Sequence, residues 1–204
     1  MKKAIIITIG DELLQGFTYD SNASWISKYL TQCEICVVRR ITLPDCEKSI
    51  YDAISYIIDN ERIDYIIMTG GLGPTHDDIT KHVLKKYFKT EFVIIEEYLQ
   101  ELKHRFNENS MKIPENISSQ ATILKDSLPI KNKNGTALGM RIIKNNVNIV
   151  VLPGVPLEMK QMIKNCGLFI ENKGSNLYYT MQTTGIYESK LYNLLSDLIE
   201  KNKT

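Results

Sequence analysis

The 204-residue sequence predicts an α/β fold built on a mostly parallel sheet. Three observations carry that expectation. Short, continuous apolar runs stop abruptly at glycine or proline, as strands buried on both faces do. The segments between them repeat their apolar residues at helical spacing. The two patterns alternate along most of the chain, which is the pattern of βαβ units.

Residues 4–9 (AIIITI) form the first run, stop at Gly10 and read as a buried strand. Residues 21–30 place Trp25, Ile26, Tyr29 and Leu30 on one stripe and read as a helix, with Asp20 and Asn22 at its start as capping residues. Residues 35–43 (ICVVRRITL) are rich in β-branched types and read as the second strand. Pro44 and Asp45 open a helix, with Asp45 as its N-cap and Ile50, Ala53, Ile54, Ile57 and Ile58 on its inner face. Residues 64–68 (DYIIM) are a third buried strand; a helix over 78–88 follows, turning Val83, Leu84 and Tyr87 inward. Residues 96–109 read as a helix, and 110–137 as mixed structure. Residues 139–144 and 147–152 read as strands of a hairpin turning at Asn145-Asn146. Pro153-Gly154-Val155-Pro156 ends that hairpin, and a helix runs on to Ile163. After a linker at 172–175, a strand at 177–183 and an amphipathic helix at 189–201 form a short βα extension. The expected division is a main domain over 1–171 and an extension over 172–204.

Composition narrows the function classes. Apolar residues make up 43% and charged residues 24%, as in ordinary globular domains. The net charge of +1 gives no general attraction to nucleic acid or to an anionic membrane. Lys2 and Lys3 precede an apolar run too short for a signal peptide, and no run is long enough to span a bilayer, so a cytoplasmic protein is expected. Cys33, Cys36, Cys46 and Cys166 form no disulfide framework, and Cys33-x-x-Cys36 lacks the second ligand pair of a zinc site.

The chemistry concentrates in TGGLGPTHDDIT at 69–80. In open α/β sheets ligands bind beyond the carboxyl ends of the strands. Four such ends carry unusual residues: Gly10-Asp11-Glu12, Pro44-Asp45, the glycine turn, and Pro153–Pro156. A parallel sheet puts them on one rim. Gly70, Gly71 and Gly73 let backbone N–H groups approach an oxyanion, and the following helix points its positive end the same way. Thr75 and Thr80 offer hydroxyl donors. A tight strand-to-helix turn with no ligand is the competing reading. Asp77 and Asp78 would cap that helix, and one acid suffices for capping. Two acids beside a phosphate-shaped turn point to a divalent cation bridging carboxylate and phosphate. His76, His82 and His104 lack ligand-like spacing.

These motifs resemble the N-terminal domain of the competence/damage-inducible CinA proteins. The matching pieces are GDELLQG at 10–16, DSNASWI at 20–26, TGGLGPTHDDIT at 69–80, QA at 120–121, NKNGTALG at 132–139, LPGVPLEM at 152–159 and TGIYES at 184–189. They follow the family order across nearly the whole chain. The resemblance implies a three-layer α/β/α sandwich of the molybdopterin-binding, MoaB/MogA-like type, with the ligand at the glycine turn. It implies that Gly70, Gly71, Gly73, Pro74 and Thr75 form a phosphate-binding turn. Asp78 and Asp45 fall where molybdopterin adenylyltransferases keep functional aspartates, and Asp77 completes a CinA-like acidic pair. Glu12, Asn22, Gly135, Thr136, Gly154 and Glu158 fall on motif positions lining the site. Lys133 and Leu138 replace common prolines, and Tyr187 replaces a common glycine. No stretch matches the deamidase domain of full-length CinA, so deamidation is not expected of this sequence.

The resemblance leads to three readings. The first is metal-dependent hydrolysis of ADP-ribose to AMP and ribose 5-phosphate, as in an ADP-ribose pyrophosphatase. Asp77 and Asp78 would hold Mg²⁺, Co²⁺, Ni²⁺ or Mn²⁺, and Asp45 or Glu12 would orient the water. The second is molybdopterin binding or adenylyl transfer. The third is a non-catalytic binding or assembly module. All three expect a small nucleotide or pterin phosphate as partner, and the family suggests a homodimer or homotrimer.

Overall fold

The structure, a computed structural model, describes residues 1–75, 78–169 and 182–201. Its elements run β1 (Lys2–Ile9), α1 (Asp11–Leu14), α2 (Ser21–Gln32), β2 (Ile35–Leu43), α3 (Glu47–Asn60), β3 (Tyr65–Thr69), α4 (Thr80–Phe88) and β4 (Phe92–Ile94). They continue with α5 (Glu96–Glu108), α6 (Ile117–Gln120), β5 (Thr122–Leu124), β6 (Leu128–Ile130), β7 (Gly139–Lys144), β8 (Val147–Leu152), α7 (Pro156–Asn165) and α8 (Glu188–Lys201).

A six-stranded sheet has the order β2-β1-β3-β8-β7-β6. Its first four strands are parallel, and β7 and β6 run antiparallel at one edge. The chain leaves β1 to one side for β2 and returns on the other side as β3. The gap between the carboxyl ends of β1 and β3 is therefore the topological switch point, where such sheets open a crevice.

The central strands are buried on both faces, which explains their unbroken apolar runs. Ile5, Ile7 and Ile9 pack with Ile50, Ile54, Ile57 and Leu84 on one side. Ala4 and Ile6 pack with Ala23, Ile26, Leu30, Met159 and Ile163 on the other. The result is the expected three layers, with α3, α4 and α5 over one face and α2 and α7 over the other. The hairpin turns where expected. Asn145 and Asn146 take φ of 49° and 65°, the left-handed pair that a two-residue hairpin of right-handed twist requires.

Two features depart from the sequence expectation. Phe92–Ile94 pairs antiparallel with Thr122–Leu124 in a separate two-stranded sheet. Each strand has three residues, too few to set up a legible alternation, and they meet across α5 and α6. The second is the start of α4. The helix begins at Thr80, not at Asp78, and Ile79 at its N-cap gives no side-chain cap.

Cα packing divides the chain into two compact units, Met1–Asn172 and Lys173–Thr204. In the second unit α8 presents Leu194, Leu195, Leu198 and Ile199 at the surface. The expected linker at 172–175 lies outside the described residues, as does the expected strand at 177–183 except for its last two residues.

Candidate ligand-binding site

A cleft of about 480 Å³ opens at the switch point. Its walls come from the ends of β1, β2, β3 and β8: Gly10 and Glu12, Asp45, the turn Gly70–Pro74, and Pro153–Val155. Asp78, Gln120, Thr136 and Glu158 complete it. The strand ends expected on one rim do share it.

The glycine turn follows β3 directly. Gly70 has φ of 111°, and a Cβ there would overlap the carbonyl of Ile9 on the neighbouring strand. Gly71 has φ of 66°, and a Cβ would overlap the Thr80 hydroxyl. Both positions therefore demand glycine. The Gly70 N–H donates to Leu152 O at 3.1 Å. The N–H groups of Gly71, Leu72 and Gly73 donate to no described residue. These are consecutive amides lining the cleft, ahead of the positive end of α4.

Several expected side-chain roles change. Thr80 is fully buried; its hydroxyl donates to Gly70 O at 3.0 Å and its N–H to Gly71 O at 3.2 Å. It braces the turn and is not a free donor to a ligand. Asp78 does not cap α4. Its Oδ2 accepts from the Thr75 N–H at 2.8 Å and the Thr75 hydroxyl at 2.6 Å, closing the loop back on itself. Thr75 is thereby occupied and lies off the cleft wall. Asp77 lies outside the described residues. Asp45 is not a helix cap: α3 starts two residues later, behind Cys46. Its Oδ2 accepts from the Asp11 N–H at 3.0 Å, and its own N–H donates to Asp11 Oδ1 at 3.2 Å. This reciprocal pair clasps the ends of β1 and β2. Asp20 does cap α2, accepting from the Ala23 N–H at 2.8 Å.

Asn22 is the second residue of α2 and does not cap it. Its amide donates to Gly154 O at 2.7 Å and to the Thr69 hydroxyl at 3.3 Å. Thr69 in turn donates to Pro153 O at 2.7 Å. Asn22 therefore sews the ends of β3 and β8 together from below the cleft. Glu158 reaches over from α7. Its Oε2 accepts from Asn132 Nδ2 at 2.6 Å, and it leaves no room for a Cβ on Gly135. Gly135 is thus behind the wall, whereas Thr136 faces the cleft and donates to Gln120 Oε1 at 3.1 Å.

Sequence reasoning missed the residues that hold this second wall. Asn132 is fully buried and accepts from the N–H groups of Asn134 and Gly135 at 3.1 and 2.9 Å. The Tyr98 hydroxyl donates to Asn132 O and Thr136 O, and Arg105 donates to Gly135 O at 3.1 Å. It also missed Lys81, whose buried amine donates to Ser119 O at 3.0 Å. Burial pushes the pKa of that amine down to about 8, against an opposing pull from Asp78. The available signal was spacing: Lys81, Leu84 and Phe88 fall on one helical stripe.

The lining is acidic. Glu12, Asp45, Asp78 and Glu158 contribute carboxylates, and no lysine, arginine or histidine lines the cleft among the described residues. Among those residues no three or more His, Cys, Asp or Glu side chains gather as a metal cage. No disulfide joins Cys33, Cys36, Cys46 or Cys166. No described helix is long and apolar enough to cross a membrane.

Comparison with known proteins gives a consistent picture. Residues 5–171 match a family described as "Probable molybdopterin binding domain". A CinA-like protein of Thermosipho melanesiensis is 34% identical over 203 residues, spanning 100% of this chain and 50% of that protein. A putative competence-damage inducible protein of Listeria monocytogenes is 38% identical over 204 residues, spanning 98% of this chain and 49% of that protein. The chain thus spans about half the length of these curated relatives. The crystal structure of CinA from Thermoplasma acidophilum, described as of unknown function, superimposes with a TM-score of 0.70 at 30% identity, covering 80% of this chain and 94% of that one. The molybdopterin biosynthesis enzyme MoaB of Thermus thermophilus shares the fold alone, with a TM-score of 0.53 at 16% identity, over 80% of this chain and 88% of that one.

These findings correct the expectation of an ADP-ribose pyrophosphatase. The matched family is described as a probable molybdopterin binding domain, and the relatives at 30% identity or more are CinA-type proteins. Asp45 and Asp78 are each held by a backbone N–H, Asp45 by that of Asp11 beyond the end of β1 and Asp78 by that of Thr75 in its own loop.

Proposed function

Because the chain belongs to the molybdopterin-binding domain family, in its CinA-like branch, we propose that its cleft binds the phosphate end of a molybdopterin-type pterin. The observation that carries this reading is the run of amides at Gly71, Leu72 and Gly73, which donate to no described residue, at the sheet's switch point. Those amides would hold the phosphate oxygens. Thr136, Gln120 and the Gly154 backbone would line the path of the pterin.

A divalent cation, Mg²⁺ or a transition metal such as Co²⁺, Ni²⁺ or Mn²⁺, completes the reading. Asp78 and Asp45 would lend it carboxylates, and it would offset the repulsion between the acidic lining and the phosphate. Mg²⁺ is commonly held by one or two carboxylates together with phosphate oxygens of the ligand.

The test is an anaerobic titration with molybdopterin, followed by pterin fluorescence, with inorganic phosphate as competitor. Saturable binding displaced by phosphate supports the reading. Absence of a saturable signal, or binding indifferent to phosphate, contradicts it.

A further inference from the structure

Lys81 is the one charged side chain that is buried among the described residues, at 7% exposure. Taking an ammonium out of water is costly unless something specific compensates it. Here the compensation is directional: the amine donates to the carbonyl of Ser119 in α6 at 3.0 Å.

That carbonyl belongs to the residue before Gln120, which faces the cleft. Gln120 grips the opposite wall twice: its Oε1 accepts from the Thr136 hydroxyl at 3.1 Å, and its carbonyl from the Leu138 N–H at 2.8 Å. On the other side, Thr80 grips the glycine turn through Gly70 O and Gly71 O. Two adjacent residues at the start of α4 thus join the two walls of the cleft.

The charge matters as well as the tie. The lining carries the carboxylates of Glu12, Asp45, Asp78 and Glu158 and no cation among the described residues. Asp78 bears electrostatically on Lys81. A buried ammonium is screened little by solvent, so it acts on a nearby anion more strongly than a surface lysine.

We propose that Lys81 is a positioning residue of this cleft, joining the glycine-turn wall to the Gln120 wall and supplying a buried positive charge that favours a docked phosphate. The charge half rests on the phosphate-binding reading above; the tie does not.

The experiment compares the wild-type chain with Lys81→Arg, Lys81→Gln and Lys81→Met. Amide hydrogen exchange at Leu138 reads the tie without ligand. Calorimetry with inorganic phosphate, with and without Mg²⁺, reads the charge. Lys81→Gln keeps a donor for Ser119 and removes the charge, so a purely structural lysine is rescued by it. The expected result is normal Leu138 exchange in the Arg and Gln variants and at least about tenfold faster exchange in Lys81→Met. Phosphate affinity stays within about twofold in Lys81→Arg and falls about tenfold in both uncharged variants. Wild-type affinity in Lys81→Gln overturns the charge role, and unchanged Leu138 exchange in Lys81→Met overturns the tie. If the wild type itself binds no phosphate, the phosphate reading falls and the charge role falls with it, while exchange still decides the tie.

Discussion

Gly70 is a position where a single Cβ decides between native and non-native packing. Its φ of 111° and its contact with the Ile9 carbonyl leave no place for a side chain. Gly70→Ala is expected to lower the unfolding free energy by about 2–4 kcal/mol, read from a urea melt. A loss below the resolution of that melt would mean that the turn relaxes freely. Asn22 reads from sequence as a cap, yet it bridges Thr69 and Gly154. Asn22→Ala should cost about 1–2 kcal/mol by the same melt, because it leaves a carbonyl and a hydroxyl short of a donor. Lys81 adds a pH signature. Its folded amine titrates near 8, and its unfolded amine at the ordinary lysine value of 10.5. Between those values the unfolded chain holds more protons, so stability rises with pH. The cost of burying the charge is fully present below about 8 and is relieved as pH climbs towards 10.5. The stability of wild type relative to Lys81→Met should therefore climb from pH 8 towards 10, by up to about 1 kcal/mol per pH unit. A flat difference contradicts that assignment.

At the scale of elements, local signals were legible and reciprocal ones were not. The strand over 35–43 and both hairpin strands, 139–144 and 147–152, coincide with the observed elements because each carries its own pattern. The hairpin turn gives a direct check. Asn145 and Asn146 occupy left-handed backbone, which alanine tolerates poorly. Replacing both by alanine should cost about 1–3 kcal/mol in a denaturant melt, whereas Asn146→Gly should be neutral or stabilising. The β4–β5 pair escaped because its three-residue strands gain meaning only from each other. Likewise, the acids at 45 and 78 looked like helix caps because capping is what such residues do locally. Asp45 instead pairs with Asp11, which depends on how loops from separate strands meet, and Asp78 turns back onto Thr75 within its own loop. The rim itself was legible, since topology alone places strand ends together. The wall held by Asn132, Tyr98 and Arg105 was not, since it depends on contacts across more than one element.

At the scale of the molecule, the first unit carries its own core. Among the described residues, both apolar clusters are drawn from positions up to Phe169. A chain ending after Asn172 is expected to melt cooperatively and to retain the ligand affinity of the longer chain within about twofold. A non-cooperative melt would show that the first unit depends on residues beyond 172. The sheet order puts β1 beside β3, so Gly10-Asp11-Glu12 and Gly70–Gly73 open at one crevice. The fold supplies amides there, and the acids around them set the charge that any bound phosphate must meet. The most direct measurement is an amide NMR titration of the isotopically labelled chain with molybdopterin and Mg²⁺. The Gly71, Leu72 and Gly73 amide resonances should shift together and saturate with the pterin fluorescence. Saturable pterin binding that leaves those three amides unmoved would contradict the account.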